Sequence, residues 1–399
     1  MKVLVYTKQF PRPDNETFGP YVYSQISKLI EQGVEVKIVS PHTYIPKCFA
    51  FLGGKIKRYA NAQLEYEYKG IKVLSPAFLW SKYLFNFSHE LKYAFYKKSM
   101  YSYMLHLCKE FKPDVIYSLD PLLDGRLNIE VGKKLGIPVV LIEHSIPNNY
   151  KNLVGNKKAV SIYSNAVKAA DKTIFVTNIQ KQRFDKMVGF EINGTIIYNG
   201  FVNENQADVC KPFSYTKDRP LRTISVGFLE AQKGYPIIFK ALKTLREQGA
   251  DISSVIVGDG KSRQEYEQVV NDYGLGDVCT FKGIVKHDEV LRLMSESDVF
   301  VLPSYQESFG IVYLEAMSCG LSVIATKGEG ISDIVVDGEN GFLIEKNNAD
   351  ELYDRLEFIR NNPEAAAKIA NKGFQTAKEL TWDKNAEQTI KVFEQVINR

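Results

Sequence analysis

The chain has 399 residues, of which 45% are hydrophobic and 25% charged, as is ordinary for a soluble globular protein. This length exceeds what one hydrophobic core usually organises, so we expect two domains with a ligand cleft. The formal net charge of +4 arises from 51 basic and 47 acidic side chains spread along the chain. Such a weak and dispersed charge argues against a nucleic-acid partner.

The cysteines are odd in number, lie far apart and contain no CxxC pair, which argues against a disulfide framework or a zinc site. They are Cys48, Cys108, Cys210, Cys279 and Cys319. Met1 leads directly into a strand-like run without a signal peptide, and the longest apolar runs, such as 137–142, are too short to cross a bilayer. We therefore expect a cytoplasmic protein that touches the inner face of the cell membrane at most.

Short β-rich runs alternate with helical patterns in the first half of the chain. These predicted strands are 2–7, 35–40, 114–118, 139–142 and 173–177. Alternation of this kind predicts βαβ units and a buried parallel sheet.

The same alternation restarts after a polar stretch at 203–219, which Pro212 and Pro220 punctuate. The second series of predicted strands is 223–226, 254–258, 278–282, 298–303 and 322–325. We therefore place a first domain at 1–200, a linker at 201–220 and a second domain at 221–375. Helical patterns continue from 349 onward, and the tail 376–399 either closes the second domain or returns to the first.

In facing parallel-sheet domains, ligands bind outside the carboxyl ends of the strands. The informative loops should therefore follow predicted strands, and several do. They are 18–20, 143–145, 227–234, 258–260 and 304–310.

The segment 298–320 reads as a strand, a loop, a helix and a terminating glycine. Glu307 and Glu315 are eight residues apart, about 12 Å along a helix, so they cannot act jointly on one bond but can grip two ends of an elongated ligand. Phe309 and Gly310 lie where the helix should start, and their N–H groups can face an anion such as a diphosphate. The plainer interpretation makes Glu307 a first-turn acid and Glu315 a surface residue.

This segment resembles the E-x7-E motif of the retaining glycosyltransferases of family 4, with Glu-Ser-Phe-Gly at its front and Glu-Ala-Met at its back. The rest of the second half follows the family's motif order, and a looser similarity runs from the first strand through His144 to 198–200. The motifs of the second half lie at 226–234, 257–260, 281–283, 328–330 and 340–341.

The resemblance implies the α/β GT-B fold, in which two Rossmann-like doubly wound parallel-sheet domains face an interdomain cleft. It also implies a metal-independent enzyme without a cofactor that retains anomeric configuration. Such an enzyme moves a hexosyl or N-acetylhexosaminyl group from a nucleotide diphosphate sugar to a glycan, lipid-linked or protein-linked acceptor. A role in building a cell-surface polysaccharide or glycolipid precursor would follow.

Within this family resemblance, Glu315 would bind the ribose hydroxyls and Glu307 would lie beside the donor sugar. Lys233 would meet the diphosphate, where a fixed cation offsets the charge on the leaving group. The backbone of Phe309, Gly310 and Ile311 would assist it.

Three further roles follow from the resemblance. Gly19 would let the first domain's backbone approach the donor, and Val285 would line the base site through its main chain. His144 would lie under the transferred sugar near the acceptor, although a lone histidine after a strand is equally consistent with a structural role.

The sequence departs from the family pattern at three places. Phe228 stands where an arginine usually follows the Val-Gly pair, so one expected diphosphate cation is missing. The double glycine after the first strand is reduced to Gly19. Lys286 and His287 follow Val285 where relatives that read guanine can carry an acid, which favours UDP-sugars over GDP-sugars.

The stretch 78–106 is crowded with aromatic and lysine side chains and contains one acid, Glu90. Leu91, Ala94, Tyr101, Leu105 and Cys108 fall at helical spacing and predict a core-facing side. The other side suits either solvent or an anionic membrane surface.

Two alternative functions remain at the level of sequence. A nucleotide-sugar isomerase of the same fold would convert the donor without an acceptor. A non-catalytic nucleotide-sugar-binding partner of a true transferase is favoured by Phe228, which removes a charge that catalysis normally uses.

Overall fold

The computed structural model describes residues 1–398 except 17, 79–88, 148–152, 154 and 202–212. The chain divides into two compact units. Unit 1 comprises Met1–Val176, Lys181–Tyr198 and Trp382–Arg399, and unit 2 comprises Thr177–Gln180 and Asn199–Thr381. The polar stretch 203–219 was predicted to lie at the domain boundary. Its residues 203–212 are outside the described residues.

The described strands are short and most follow the predicted alternation with helices. In unit 1 they are β1 (Lys2–Tyr6), β2 (Glu35–Val39), β3 (His42–Thr43), β4 (Glu65–Tyr68), β5 (Ile71–Leu74), β6 (Ala77–Phe78), β7 (Val115–Leu119), β8 (Val139–Glu143), β9 (Lys172–Phe175) and β10 (Gly194–Ile196). In unit 2 they are β11 (Leu221–Val226), β12 (Ile252–Val257), β13 (Cys279–Gly283), β14 (Val299–Val301), β15 (Ser322–Thr326) and β16 (Phe342–Ile344).

The described helices connect these strands and, after β16, follow one another without a strand. In the first half of the chain they are α1 (Pro20–Glu31), α2 (Gly54–Ala60), α3 (His89–Phe111), α4 (Arg126–Leu135), α5 (Lys157–Ala169) and α6 (Asn178–Val188). In the second half they are α7 (Tyr235–Glu247), α8 (Arg263–Asp272), α9 (His287–Ser295), α10 (Ile311–Ser318), α11 (Ala349–Asn361), α12 (Pro363–Lys378) and α13 (Trp382–Ile397). No helix within the described residues combines the length and the apolarity needed to span a bilayer.

Each unit contains one main parallel sheet. The sheet of unit 1 has the order β10-β9-β8-β7-β1-β2-β5-β4, and its neighbouring strands are parallel except at the β4–β5 edge. The sheet of unit 2 has the order β13-β12-β11-β14-β15-β16 and is parallel throughout. The predicted fold class, two Rossmann-like parallel-sheet domains, is confirmed.

Strand order reverses at one point in each sheet, between β1 and β7 in unit 1 and between β11 and β14 in unit 2. At such a switch point the following loops and helices diverge and leave a crevice at the carboxyl ends of the strands. These two places are therefore where each unit is best able to hold a ligand.

Burial explains which strands the sequence predicted. All five residues of β7, β8 and β15 are buried, which is why these strands read as continuous apolar runs. Strand β4 instead alternates exposed and buried residues at an antiparallel edge, and β16 has three residues. Neither β4 nor β16 was predicted as a strand, although the equally short β14 was.

Helix α13 is part of the core of unit 1, although it lies at the far end of the sequence. Val392 and Phe393 of α13 pack in one apolar cluster with Ile26 of α1. The amide of Asn385 links two other parts of the unit, because it accepts from Gln25 Nε2 at 2.8 Å and donates to the carbonyl of Tyr198 at 2.7 Å.

The core-facing side predicted for α3 is right toward its end and wrong at its start: Cys108 is buried and Tyr101 and Leu105 pack against the core, but Ala94 is exposed. Leu91 is 43% exposed, whereas Tyr93, Tyr96, Met100 and Met104 are buried in the core of unit 1. Tyrosine can occupy this core because its hydroxyl finds a partner: Tyr93 donates to Glu130 at 2.7 Å. Residues 79–88, including Trp80, lie outside the described residues.

A buried carboxylate on the residue before β14 anchors the first strand of unit 2, β11. Asp298 is 2% exposed and receives two 2.7 Å hydrogen bonds from the guanidinium of Arg219. It also accepts from the backbone N–H of Arg222 at 2.9 Å. The carboxylate therefore ties the start of β11 to the start of β14, the two strands at the switch point.

Replacing Asp298 with alanine should lower the free energy of unfolding by about 3 kcal/mol, because Arg219 and Arg222 lose the carboxylate that compensates their charge. Denaturant unfolding of the full chain measures this loss. Asp277→Ala is the matched control, since Asp277 is 70% exposed in its pair with Arg246 and should cost less than about 1 kcal/mol. Equal losses in the two variants would contradict the structural role of Asp298.

Candidate functional site

The loop between β14 and α10 carries the predicted glutamate pair, and a tyrosine underneath fixes its path. Gly310 caps α10 with a φ of 85°, and a Cβ there would lie 2.6 Å from the ring of Tyr313. The Tyr313 hydroxyl in turn bonds to the carbonyl of Leu302 and lies 3.1 Å from the Ser304 hydroxyl. Only glycine therefore fits at the turn into the helix.

Two neighbouring loops approach this one backbone to backbone. A Cβ on Gly234 would lie 2.3 Å from the carbonyl oxygen of Pro303, and one on Gly330 would lie 2.0 Å from that of Ser308. The backbone N–H of Glu307 also donates to the Glu329 carboxylate at 3.0 Å. The loop from Pro303 to Gly310 is thus clamped on both sides.

The clamp brings Lys233 and Glu307 together. Lys233 ends a 3₁₀ turn, Ala231–Lys233, that follows β11, and its Nζ lies 2.6 Å from Oε2 of Glu307. Both side chains are about one-fifth exposed, so they remain accessible to a ligand. Two residues 74 positions apart meet here because β11 and β14 are the strands at the switch point.

Glu315 has a partner that the sequence did not suggest. Its Oε1 lies 3.0 Å from Nε2 of His287, the first residue of α9. This hydrogen bond to the carboxylate raises the pKa of His287 above its usual value, against the opposing effect of burial. The position of His287 just beyond β13 was the signal that could have placed it in the site. In the sequence, however, His287 served only to favour UDP-sugars over GDP-sugars.

Three further residues predicted to contact the donor, Phe309, Ile311 and Val285, also lie in unit 2. Phe309 is buried and Ile311 begins α10, whose N-terminus has no side-chain cap, so its first N–H groups point outward from the helix end. Val285 is half-buried between β13 and α9. Phe228 is 65% exposed and brings no charge, which leaves Lys233 as the cation beside Gly227.

The other two predicted residues, Gly19 and His144, belong to unit 1. Gly19 caps α1 with a φ of 72°, and a Cβ there would lie 1.8 Å from the carbonyl oxygen of Gln9. The rings of Tyr21 and His144 lie 4.8 Å apart. Burial lowers the pKa of His144 to about 3, so its imidazole is neutral at physiological pH.

His144 lines a cavity of about 180 Å³ at the β1–β7 switch point, which we call the acidic pocket. Its Nε2 is buried and has no hydrogen-bond partner among the described residues. The pocket is lined by Thr7, Lys8, Gln9, Phe18, Leu119, Asp120, Asp124, Ile142, Glu143, His144 and Ser145. The sequence pointed to the loops at 18–20 and 143–145 but not to Lys8, Asp120 or Asp124.

One carboxylate of the acidic pocket is neutralised by its neighbours. Lys8 Nζ lies 2.6 Å from Asp124, and the buried Tyr96 hydroxyl donates to the same carboxylate at 2.6 Å. The ammonium of Lys8 also lies 4.4 Å from the centre of the Tyr96 ring. Asp124 is therefore satisfied within the protein.

Asp120 is held in an unfavourable state. Its φ is 66°, a left-handed conformation that aspartate adopts uncommonly, and it accepts from the N–H of Leu122 at 2.9 Å. Burial, and secondly the charge of Asp124, raise the pKa of Asp120 to about 6. A strained backbone together with a carboxylate destabilised by burial is a combination often found at functional sites.

The predicted residues therefore fall into two sets, each at a switch point. Unit 2 assembles Lys233 with Glu307, and Glu315 with His287, around the N-terminus of α10. Unit 1 carries Gly19 and His144 beside the acidic pocket. No group of three or more metal-ligating side chains occurs in the part of the chain that the structure describes.

Comparison with known families gives two matches in succession. Residues 19–204 match Glycosyltransferase Family 4, and residues 211–376 match Glycosyl transferases group 1. An uncharacterized glycosyltransferase of Methanocaldococcus jannaschii is 30% identical over 283 residues, which are 71% of this chain and 76% of that protein. Other curated glycosyltransferases align over 39% to 43% of their own length.

Solved structures share the whole architecture. A sucrose-phosphate synthase from Thermosynechococcus elongatus superposes with a TM-score of 0.77 at 19% identity over 100% of both chains. Anabaena HepE in complex with UDP-glucose superposes with a TM-score of 0.70 at 18% identity, over 98% of this chain and 99% of that one. At these identities the similarity establishes the fold.

The state of Asp120 makes a stability prediction. Between pH 4 and 6 the native state binds more protons at this carboxyl than the unfolded state does, so its contribution to stability is lost as pH rises through about 6. Asp120→Asn removes this penalty, and asparagine tolerates a positive φ as aspartate does. At pH 7 the variant should be more stable by about 1–3 kcal/mol, and this gain should shrink toward pH 4.

Thermal unfolding at pH 7 and pH 4.5 measures the effect of Asp120→Asn. Asp124→Asn is the control, and it should destabilise the protein at pH 7 because Lys8 and Tyr96 lose a charged partner. An unchanged or lower midpoint for Asp120→Asn at pH 7 would show that Asp120 carries no stored penalty.

Proposed function

This chain belongs to the GT-B glycosyltransferases, with a family 4 domain followed by a group 1 domain, and we propose that it transfers a sugar from a nucleotide diphosphate sugar with retention of anomeric configuration. The transferred group is a hexosyl or N-acetylhexosaminyl unit. The acceptor is a glycan or a lipid-linked or protein-linked precursor of a cell-surface polymer. The reaction needs neither a metal ion nor a cofactor, and it takes place in the cytoplasm.

The contact between Lys233 and Glu307, beside the N-terminus of α10, is the observation that carries this proposal. A fixed cation and a helix N-terminus together suit a diphosphate. Glu315 lies eight residues farther along, on the second turn of α10, and can accept hydrogen bonds from the ribose. The site thus matches an elongated ligand with an anionic middle.

Lys233 and Glu307 neutralise each other when no ligand is bound. An arriving diphosphate competes with Glu307 for Lys233, and the released carboxylate is then available to hydroxyl groups of the donor sugar. In the transfer step the bond from the anomeric carbon to the diphosphate oxygen breaks, and its electron pair stays on the diphosphate. Lys233 and the N–H groups of α10 stabilise that charge. The acceptor hydroxyl attacks the anomeric carbon from the face that the diphosphate leaves, and its proton passes to the departing diphosphate oxygen.

Uracil is the proposed base. HepE, which shares the fold, binds UDP-glucose in its crystal structure. In this chain His287 approaches Glu315, and Lys286 precedes it, so the segment after Val285 carries basic side chains. A uracil carbonyl can accept from such groups, whereas guanine recognition can use an acid here.

Gly19 and His144 complete the proposal from unit 1. Gly19 would present backbone to the donor, and the neutral imidazole of His144 would lie beside the transferred sugar, where its unpartnered Nε2 can bond a hydroxyl group.

The exposed Phe228 favours one alternative, a protein that binds nucleotide sugars without turnover, because a cation expected at the diphosphate is replaced by an apolar ring. Release of nucleotide diphosphate across a broad acceptor panel separates the two functions. A transferase releases it with at least one acceptor.

Lys233→Ala should weaken UDP binding about tenfold or more and reduce turnover about 100-fold, because the leaving diphosphate loses its cation. Glu307→Gln should split the two effects: UDP binds at least as tightly, since its competitor for Lys233 is gone, while transfer falls. Calorimetry with UDP and a nucleotide-release assay measure the two quantities. A thermal-shift screen of the wild-type protein against UDP, GDP and ADP comes first, because the nucleotide that binds raises the unfolding midpoint.

Lys243→Ala on α7 is the matched control, because this exposed lysine pairs with Glu247 and should leave binding and turnover unchanged. Unchanged turnover rates in both Lys233→Ala and Glu315→Ala would contradict the assignment of the donor site.

NMR of the product should show the anomeric configuration of the donor sugar, and treatment with EDTA should leave the rate unchanged. An inverted product would overturn the retaining proposal, and loss of activity that added Mg²⁺ or Mn²⁺ restores would overturn metal independence. The two readouts are separate, so either part of the proposal can fail alone.

A further inference from the structure

A second surface of unit 1 carries side chains that its fold does not use. Residues 47–60, which we call the basic apolar segment, form a 3₁₀ turn (Lys47–Leu52) followed by α2. No residue of the turn is buried, and in α2 only Ala60 is buried. This segment therefore adds little to the core.

Its exposed residues include large apolar side chains close together. Phe51 is 79% exposed, Leu52 54% and Phe49 47%. Single exposed apolar residues are common, but three within four positions form a patch of the kind that marks an interaction site.

The charge of the segment identifies the partner. Residues 44–64 contain Lys47, Lys55, Lys57 and Arg58 and no aspartate or glutamate. None of the three lysines has an ion-pair partner among the described residues, whereas Arg58 lies 3.4 Å from Asp14. Unneutralised basic side chains next to exposed phenylalanines suit an anionic lipid surface.

An adjoining cavity of about 460 Å³ extends the basic surface. Its lining includes Arg12, Lys57 and Arg58 together with Asp14 and Tyr66. The Arg12 guanidinium stacks 4.7 Å from the centre of the Tyr66 ring and donates to Ser75 at 3.1 Å, which holds it in place. A guanidinium held in place in this way can donate hydrogen bonds to a lipid phosphate.

We propose that the basic apolar segment docks this protein on an anionic bilayer. Phe49, Phe51 and Leu52 enter the boundary between headgroups and acyl chains, and Lys55 and Lys57 contact the lipid phosphates. A second copy of the chain is a poorer partner, because a two-fold interface would set the positive charges of one segment against those of the other. The proposal is independent of the sugar, the acceptor and the transfer reaction.

Sedimentation with vesicles tests the proposal on the full chain. The protein should bind vesicles of phosphatidylcholine with 30% phosphatidylglycerol at low salt. Its binding to vesicles of pure phosphatidylcholine should be weaker by about tenfold or more. Binding should weaken at higher ionic strength. Equal binding to both vesicle types, or no binding to either, overturns the proposal.

Two variants separate the apolar and the charged contributions. Lys55→Glu/Lys57→Glu and Phe51→Ser/Leu52→Ser should each reduce the bound fraction on anionic vesicles about tenfold. The controls are Lys133→Glu/Lys134→Glu, an exposed pair on α4, and Val336→Ser, at 51% exposure in unit 2. Loss of binding in the controls as well as in the segment variants, or retained binding in both segment variants, contradicts the assignment.

Cys48 provides a direct probe, because it is exposed within the segment while Cys108, Cys279 and Cys319 are buried. Cys210 lies outside the described residues, so the labelled protein carries Cys210→Ser. A polarity-sensitive dye on Cys48 should shift to shorter wavelength with anionic vesicles and not with neutral ones. A shift with protein concentration alone would show self-association and overturn the proposal.

Discussion

The constraint on which unit 2 depends is the contact of backbone with backbone at the carboxyl edge of its sheet. A Cβ on Gly258 would lie 2.0 Å from the carbonyl of Gly227, and Gly234 and Gly330 meet Pro303 and Ser308 equally closely. Any side chain at these positions would push the loops apart. Because the loops after β11, β12, β14 and β15 pack without side chains between them, residues far apart in sequence, such as Lys233 and Glu307, come into contact.

The sequence predicted the fold class and the motif residues but not how the side chains pair. Buried parallel strands give continuous apolar runs, so most strands were predictable, and the motif placed Glu307 and Glu315 on one loop and helix. That Lys233 meets Glu307, or that His287 meets Glu315, follows from strand order, which a single sequence does not reveal. For the same reason no local pattern marked Lys8 or Asp120.

The buried face at the start of α3 could not be predicted because tyrosine is amphipathic. Hydrophobic periodicity favoured Leu91, yet Tyr93 and Tyr96 take the buried positions because Glu130 and Asp124 accept hydrogen bonds from their hydroxyl groups.

The two switch points also differ in charge. That of unit 2 combines a lysine with a helix N-terminus, whereas that of unit 1 combines carboxylates with a neutral histidine. The two switch points therefore offer different chemical groups even though both units share one architecture.

The position of α13 has a consequence for biosynthesis. Asn385, Val392 and Phe393 complete the core of unit 1, but all of unit 2 beyond Tyr198 separates them from β10 in the sequence. A ribosome releases the chain from its N-terminus, so unit 2 can fold as soon as it emerges, while unit 1 must wait for α13 to complete its core beside α1. During translation the half that is made first is therefore the last to be finished.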